Sequence, residues 1–265
     1  MKEGVEMIPL EEAIRILESQ VETLPGEERV PLAQARGRVL AREVVSGIAN
    51  PPFDRSPLDG YALRAEDVAG ASRETPVRLS VIAEVCAGGW FSGTVKPGQA
   101  VRIMTGGAIP RGCDCVVRQE DTDYGEETVE IYKPVNSRQN YCFAGEDIQK
   151  GAVLMAAGEK LTPVHLGVLA GQGLTEVPVW PAVRVAIIST GDEIVPTGTP
   201  LTPGKIYNSS LWMFQARLEE LGAIVTLSRS VGDDPQAVAA AIREGYRDAQ
   251  VVITTGGVSV GKKDI

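Results

Sequence analysis

The sequence predicts an α/β protein of more than one domain, and three observations carry that expectation. Its last third alternates strand, helix, strand, helix, strand. Its middle is rich in short β segments broken by Gly and Pro, and its start is helical. A chain of 265 residues with 43% hydrophobic content has room for two or three cores of ordinary composition.

Val183–Gly198 (VRVAIISTGDEIVPTG) sets the frame for the last third. A Val- and Ile-rich run that ends at Thr190-Gly191 and meets two acids reads as a strand covered on both faces, as in a parallel sheet. Leu211–Gly222 has Leu211, Phe214, Leu218 and Leu221 at helical spacing and stops at glycine, and Ala223–Leu227 returns as strand. Asp233–Arg247 starts a helix near Pro235 with Val238, Ala241 and Ile242 on one side, and Val251–Thr255 is the third strand. Right-handed crossovers make this a parallel sheet, whose ligands gather outside the carboxyl ends of the strands. The strand exits bear Asp192 and Glu193, then Asp233 and Asp234, then the glycine-rich Gly256–Gly261 with Ser259 and Asp264, while Asn208-Ser209-Ser210 opens the first helix. Backbone amides at such turns suit a phosphate and grouped carboxylates suit Mg²⁺, so the residues point to a phosphorylated ligand and a hard cation. Asn208, Ser209 and Asp234 equally suit helix caps.

Ahead of this, Pro9–Val21 is expected as a helix with Leu10, Ala13, Ile14, Leu17 and Val21 along one stripe, and Pro31–Val45 as a second helix weakened at Gly37. Having no sheet nearby, the two would pack on each other, on a later segment or on another subunit. Asn50–Leu63 (NPPFDRSPLDGYAL) reads as a stiff connector able to hold Asp59 in a fixed position. Strands are expected at Val77–Val85, Ala100–Met104, Cys113–Glu120 and Thr128–Lys133, forming a small inserted domain whose turns include Thr105-Gly106-Gly107. Turn, short strand and turn follow from Gly145, and Thr162–Gly171 resumes helix.

Several function classes are excluded or disfavoured. A net charge of −9 argues against a broad nucleic-acid surface. The opening MKEGVEM is too acidic for a signal peptide, and no run approaches the ~20 apolar residues of a membrane span, so a cytoplasmic protein is expected. If Cys113–Glu120 is a strand, Cys113 and Cys115 share a face. Only Cys86, Cys142 and His165 could complete a zinc site with them, and reduced thiols packed as small apolar residues are the expectation. His165, on an apolar helix with no nucleophile motif, is expected as a packing or surface residue. Gly256–Lys262 has the frame of a P-loop, but Lys263 replaces its hydroxyl residue, which leaves an NTPase a remote alternative.

Taken together, NPPFDRSPLDGYA (50–62), VRIMTGGAIP (101–110), GEDIQKG (145–151), STGDE (189–193), KIYNS (205–209), VGDDP (231–235) and TTGGVSVGKKD (254–264) stand in the order and spacing seen in the MoeA family of molybdopterin molybdenumtransferases. The chain resembles that family, to which the gephyrin E domain also belongs, over nearly its whole length. The resemblance implies residues 1–50 with 146–181 as a helical, elongated domain, 51–145 as an inserted β-rich domain, and 182–265 as a molybdopterin-binding α/β domain. It implies a reaction in which molybdate enters the dithiolene of adenylylated molybdopterin and AMP leaves, with Mg²⁺ or another divalent cation. Its functional residues would be Asp59, Thr105, Asp147, Glu193, Asp233 and Asp264. Glu193, Asp233 and Asp264 would hold metal, and Gly191, Asp192, Asn208, Ser209, Gly256, Gly257 and Ser259 would receive the pterin. It further implies a homodimer in which Asp59 and Thr105 act across the subunits. In three places the sequence departs from the family. Cys142 stands where an arginine is usual, and Cys113 and Cys115 stand where alanine is usual. The family also continues past residue 265, so a fragment or a shortened chain with an incomplete α/β domain is expected. A non-catalytic dimeric scaffold of the same fold is the alternative reading, motivated by Cys142 and the early stop.

Overall fold

A computed structural model describes residues 8–257. In chain order they form α1 (Leu10–Gln20), β1 (Glu28–Pro31), β2 (Val44–Val45), β3 (Gly60–Leu63), β4 (Val77–Val85), β5 (Gln99–Ile103), β6 (Cys115–Arg118), β7 (Thr128–Ile131), β8 (Val153–Met155) and α2 (Pro163–Gly171). Then come β9 (Glu176–Val179), β10 (Arg184–Thr190), β11 (Ile194–Val195), β12 (Ile206–Tyr207), α3 (Ser209–Glu220), β13 (Ile224–Val231), α4 (Pro235–Asp248) and β14 (Val251–Thr255). The chain divides into two compact units, the first made of residues 1–42, 156–167 and 174–265 and the second of residues 43–155 and 168–173.

In the first unit β10 lies between β13 and β14 and runs parallel to both. Every residue of β10 after Arg184 is buried, which is why its sequence is a continuous apolar run. The helices on either side of β13 start at side-chain caps: Asn208 Oδ1 accepts from the Leu211 amide at 3.0 Å, and Asp234 Oδ2 accepts from the Ala237 amide at 2.9 Å. Pro235 follows the second cap at the position where its missing N–H costs nothing. Val238, Ala241 and Gly245 are the buried face of α4. The expected strand–helix order therefore holds, although β13 runs on to Val231.

The stretch 31–45 is not a helix. Pro31 is extended at ψ 146°, a single 3₁₀ turn spans Leu32–Gln34, and the backbone then donates to distant partners, Gly37 N to Leu161 O at 2.9 Å and Leu40 N to Glu159 O at 2.9 Å. Those donors would be tied to residues four back in a helix, and β1 pairs antiparallel with β9 in its place. α1 forms as expected, with Leu10, Ile14, Leu17 and Val21 of its stripe exposed.

The second unit is built on a five-stranded sheet in the order β6-β3-β5-β4-β7. All four expected strands are present, and a fifth, β3, arises inside the segment read as a connector. β3 is buried throughout because its two faces serve different clusters, Tyr61 and Leu63 with Leu79, Val117 and Ile131, and Ala62 with Val101, Ile103 and Val116. Cys113 and Cys115 also part company. The strand begins at Cys115, which joins the Tyr61 cluster, while Cys113 belongs to the Ala62 cluster, so the two do not share a face. Burial pushes the Cys113 thiol up to about 12, and Cys115 further, so both pack as neutral thiols. His165 follows Thr162, whose hydroxyl accepts from the His165 amide at 3.3 Å, a helix-start contact.

Candidate functional site

The expected site residues fall into two groups, one in each unit. In the second unit β3 starts directly after Asp59, and β5 ends two residues before Thr105. Gly60 lies so close to β6 that a Cβ there would stand 1.9 Å from the Val117 carbonyl oxygen. That approach fixes the preceding carboxylate. Asp59 Oδ1 accepts from the Thr105 amide at 2.7 Å and from the Thr105 hydroxyl at 2.8 Å. The Thr105 amide first and its hydroxyl next hold the Asp59 carboxyl below the usual carboxylate range, against an opposing effect of desolvation, with the charge of Arg102 the weakest contributor. A charged, half-buried acid with one oxygen committed can offer its other oxygen to a cation, a water or a proton. Asp147 is exposed, and its amide donates to the Asn50 carbonyl at 3.1 Å.

In the first unit the strand exits converge at one rim. The Asp192 amide donates to Asp233 Oδ2 at 3.4 Å and the Asp233 amide donates to Asp192 Oδ1 at 3.1 Å, a reciprocal brace between the ends of β10 and β13. Ser189 and Thr255 hydroxyls meet at 2.8 Å, linking β10 to β14. A Cβ on Gly256 would lie 2.4 Å from the Thr190 carbonyl oxygen, so only glycine permits that approach. A small cleft of about 90 Å³ opens here, lined by Thr190, Asp233, Val238, Ile242, Thr254, Gly256 and Gly257. Asn208 is buried and doubly used: beyond its cap it donates from Nδ2 to the Ser230 hydroxyl at 2.8 Å. Its capping role is therefore real, and Ser209 is the first residue of α3. Glu193 follows Asp192 on the same loop, and its carboxylate lies over Gly191. Ser259 and Asp264, with most of the P-loop-like segment, lie outside the described residues. Among the described residues no group of three or more His, Cys, Asp or Glu side chains could close around one metal ion, so a complete cage is not formed.

One rim residue has no counterpart among the expected site residues. Lys205 Nζ donates to the Asp192 carbonyl at 2.5 Å, bringing a cation to the acidic loop from a position thirteen residues away. Its place inside the KIYNS motif was the only sequence signal available.

Residues 8–173 match the family model described as the MoeA N-terminal region, domains I and II, and residues 186–265 match a probable molybdopterin binding domain. The chain belongs to the MoeA family. It is 41% identical over 236 residues to molybdopterin molybdenumtransferase 2 of Mycobacterium tuberculosis (strain CDC 1551 / Oshkosh), covering 89% of this chain and 58% of that protein. It is 41% identical over 264 residues to the molybdopterin molybdenumtransferase of Bacillus subtilis (strain 168), covering 97% of this chain and 60% of the relative. The molybdopterin biosynthesis MoeA protein from Pyrococcus horikoshii OT3 has a similar structure, with a TM-score of 0.86 and 34% identity over 95% of this chain and 67% of that one. This MoeA-family chain thus spans about three fifths of the length of these curated relatives. Among the described residues no helix is long and apolar enough to cross a membrane.

Proposed function

We propose that this chain carries the chemistry of a molybdopterin molybdenumtransferase: molybdate enters the dithiolene of adenylylated molybdopterin and AMP is released. The observation that supports it most is the placement of acids. The carboxylates singled out by the MoeA resemblance include those whose oxygens backbone amides hold in place, Asp59 by Thr105 and Asp233 by Asp192. Fixed carboxylates of this kind can hold the hard cation and the water that a departing phosphate requires.

In this reading Gly191, Asp192, Asn208, Ser209, Gly256, Gly257 and Ser259 receive the pterin and its phosphate. Mg²⁺ fits the donor chemistry of the rim, because it retains several waters and takes one or two carboxylates alongside phosphate oxygens. Glu193 and Asp233, with Asp264, would hold it, and when bound it would neutralise charge on the leaving phosphate. Asp59 and Asp147 act as fixed carboxylates that orient water or accept a proton, and Thr105 keeps Asp59 ionised. We further propose a cytoplasmic homodimer, in keeping with the exposed stripe of α1, and the domain division 1–50 with 146–181, 51–145 and 182–265. One observation favours the scaffold alternative: Cys142 offers a neutral thiol, raised in pKa by burial and by Glu146, in the ribbon that leads to Asp147.

The test is Mg²⁺-dependent AMP release from adenylylated molybdopterin and molybdate. It is run on the chain alone and on the chain extended by the segment that the Bacillus subtilis relative has beyond the matched region. Asp59→Asn and Asp233→Asn should each abolish release without changing the far-ultraviolet circular dichroism. Normal release from either variant refutes the site assignment, and a wild-type chain inert in both forms favours the scaffold.

A further inference from the structure

Residues 50–55 and 142–148 form an antiparallel ribbon. The Asn50 amide donates to Ile148 O at 2.8 Å, the Arg55 amide to Cys142 O at 2.9 Å, and the Cys142 amide returns to Arg55 O at 3.0 Å. Arg55 also bridges Ala108 on its other side. Next to it the Ser56 amide donates to Gly107 O at 2.9 Å and the Gly106 amide to Ser56 O at 2.8 Å. The backbone of Arg55 is thus braced from both edges, within the same turn that sets Thr105 on Asp59.

Its side chain is differently placed from its neighbours. Asp54 is consumed by the Tyr141 hydroxyl at 2.5 Å and the Ala144 amide at 2.8 Å. Arg138 lies over the rings of Tyr141 and Phe143, 4.8 and 5.7 Å from their centroids. Arg55 is half-buried and forms no ion pair among the described residues. Its guanidinium reaches the Cys142 thiol, which Glu146 contacts as well. A thiol is a weak acceptor, so most of a five-donor planar fork is left without a strong partner.

We propose that Arg55 is an oxyanion-binding residue of the Asp59–Thr105 site, its guanidinium gripping a tetrahedral dianion. Planar bidentate donation is the geometry that suits such an anion, and a braced backbone limits the entropy lost on binding it. The dianion is molybdate or the phosphoryl group of the nucleotide. The assignment rests on the transferase reading for the presence of these ligands, but binding is measured apart from turnover.

Equilibrium dialysis of the chain with molybdate, and separately with AMP, tests it in the wild type, Arg55→Gln, Arg55→Lys and the double variant Arg55→Gln/Cys142→Arg. Arg55→Gln should weaken one of the two anions by roughly tenfold or more, the loss of a charge-assisted contact. Arg55→Lys should recover part of it, and the double variant most of it, since position 142 presents a guanidinium from the facing strand. The anion affected identifies the source. A parallel reading checks the contact itself: Cys142 alkylation by iodoacetamide should slow in Arg55→Gln, because the cation that lowers its pKa is gone. Wild-type affinity for both anions in Arg55→Gln, with alkylation slowed, overturns the proposal, as does a wild-type chain that binds neither. Anion binding lost with Arg55 in a chain that releases no AMP counts against the transferase reading and leaves this one standing.

Discussion

Replacing Gly60 by alanine tests the geometry beneath Asp59. The added Cβ would meet Val117 O at 1.9 Å, Val117 C at 2.9 Å and Arg118 Cα at 3.0 Å. All three are backbone atoms of β6, so no side-chain rotation relieves the clash. Ordinary contact begins near 3.4 Å, which requires β6 to retreat by about 1.5 Å from a strand to which it is hydrogen-bonded. Overpacking costs about 1–3 kcal/mol, and each backbone group of the buried ladder left unpaired adds about 1–3 kcal/mol, so a loss of about 3–5 kcal/mol is expected. Gly70→Ala is the control, since nothing lies within 4 Å of a Cβ there, and its effect should stay within about 1 kcal/mol. Urea unfolding gives the stability change, and hydrogen exchange of the β3 and β6 amides locates it in the second unit. An unchanged midpoint for Gly60→Ala, or full protection of Val116 and Val117 amides, would refute the packing of β3 on β6 and with it the account of how Asp59 is fixed.

Two further changes probe the polar contacts. Thr105→Val removes the hydroxyl bond to Asp59 and keeps the amide bond, so the Asp59 pKa should rise toward the ordinary carboxylate value. Because its folded value is lowered, Asp59 favours the folded state above the unfolded carboxylate pKa, and this contribution is lost as pH falls through the folded value. The variant should lose it at higher pH, which carboxyl NMR titration reads directly, and an unmoved or lowered midpoint would contradict the contact. Asn208→Ala removes the α3 cap and the bond to Ser230 together, and should cost about 1–2 kcal/mol in urea unfolding. Asn208→Asp keeps the capping oxygen but loses the Nδ2 donor to Ser230 at a buried position, so it should recover only part of the loss.

The parts of the fold legible in the sequence are those set by local pattern. The buried run Val185–Thr190, the cap residues Asn208 and Asp234 and the alternation in β4 all announce themselves within a few neighbours. The failures have a common cause. Leu32, Ala35, Val39 and Leu40 have helical spacing, but the partners that decide their backbone are Glu159, Leu161 and Pro178, more than a hundred residues away. Gly60–Leu63 is masked by the prolines before it, and its strand character comes from pairing with β5 and β6 on either side. Cys113 and Cys115 were separated by a strand that starts two residues later than expected. The same holds for the candidate site. Spacing alone does not link Asp59 to Thr105, forty-six positions apart, or Asp192 to Asp233, forty-one apart. The strand order put Asp192 and Asp233 at one rim and the family resemblance added the roles of Asp59, Thr105 and Asp233, while the fold supplies the contacts that join each pair.

Those contacts differ between the two groups and have a chemical consequence. Asp59 takes both of its donors from one residue, and both fall on a single oxygen, so its second oxygen keeps its acceptor positions. Asp192 and Asp233 instead brace each other through amides, at 3.1 Å to the Asp192 carboxylate and 3.4 Å to that of Asp233. Since an ionised carboxylate has about four acceptor positions, one amide bond leaves Asp233 with most of its capacity. The first arrangement suits a fixed base or water-orienting group. The second suits a donor that must still bind a hard cation, and it ties the ends of β10 and β13 together before any ligand arrives. An amide at position 233 would keep the shape and a donor-acceptor pair with Asp192 while removing the charge, so on the proposed transferase reading Asp233→Asn separates these two roles: a folded rim that no longer supports AMP release.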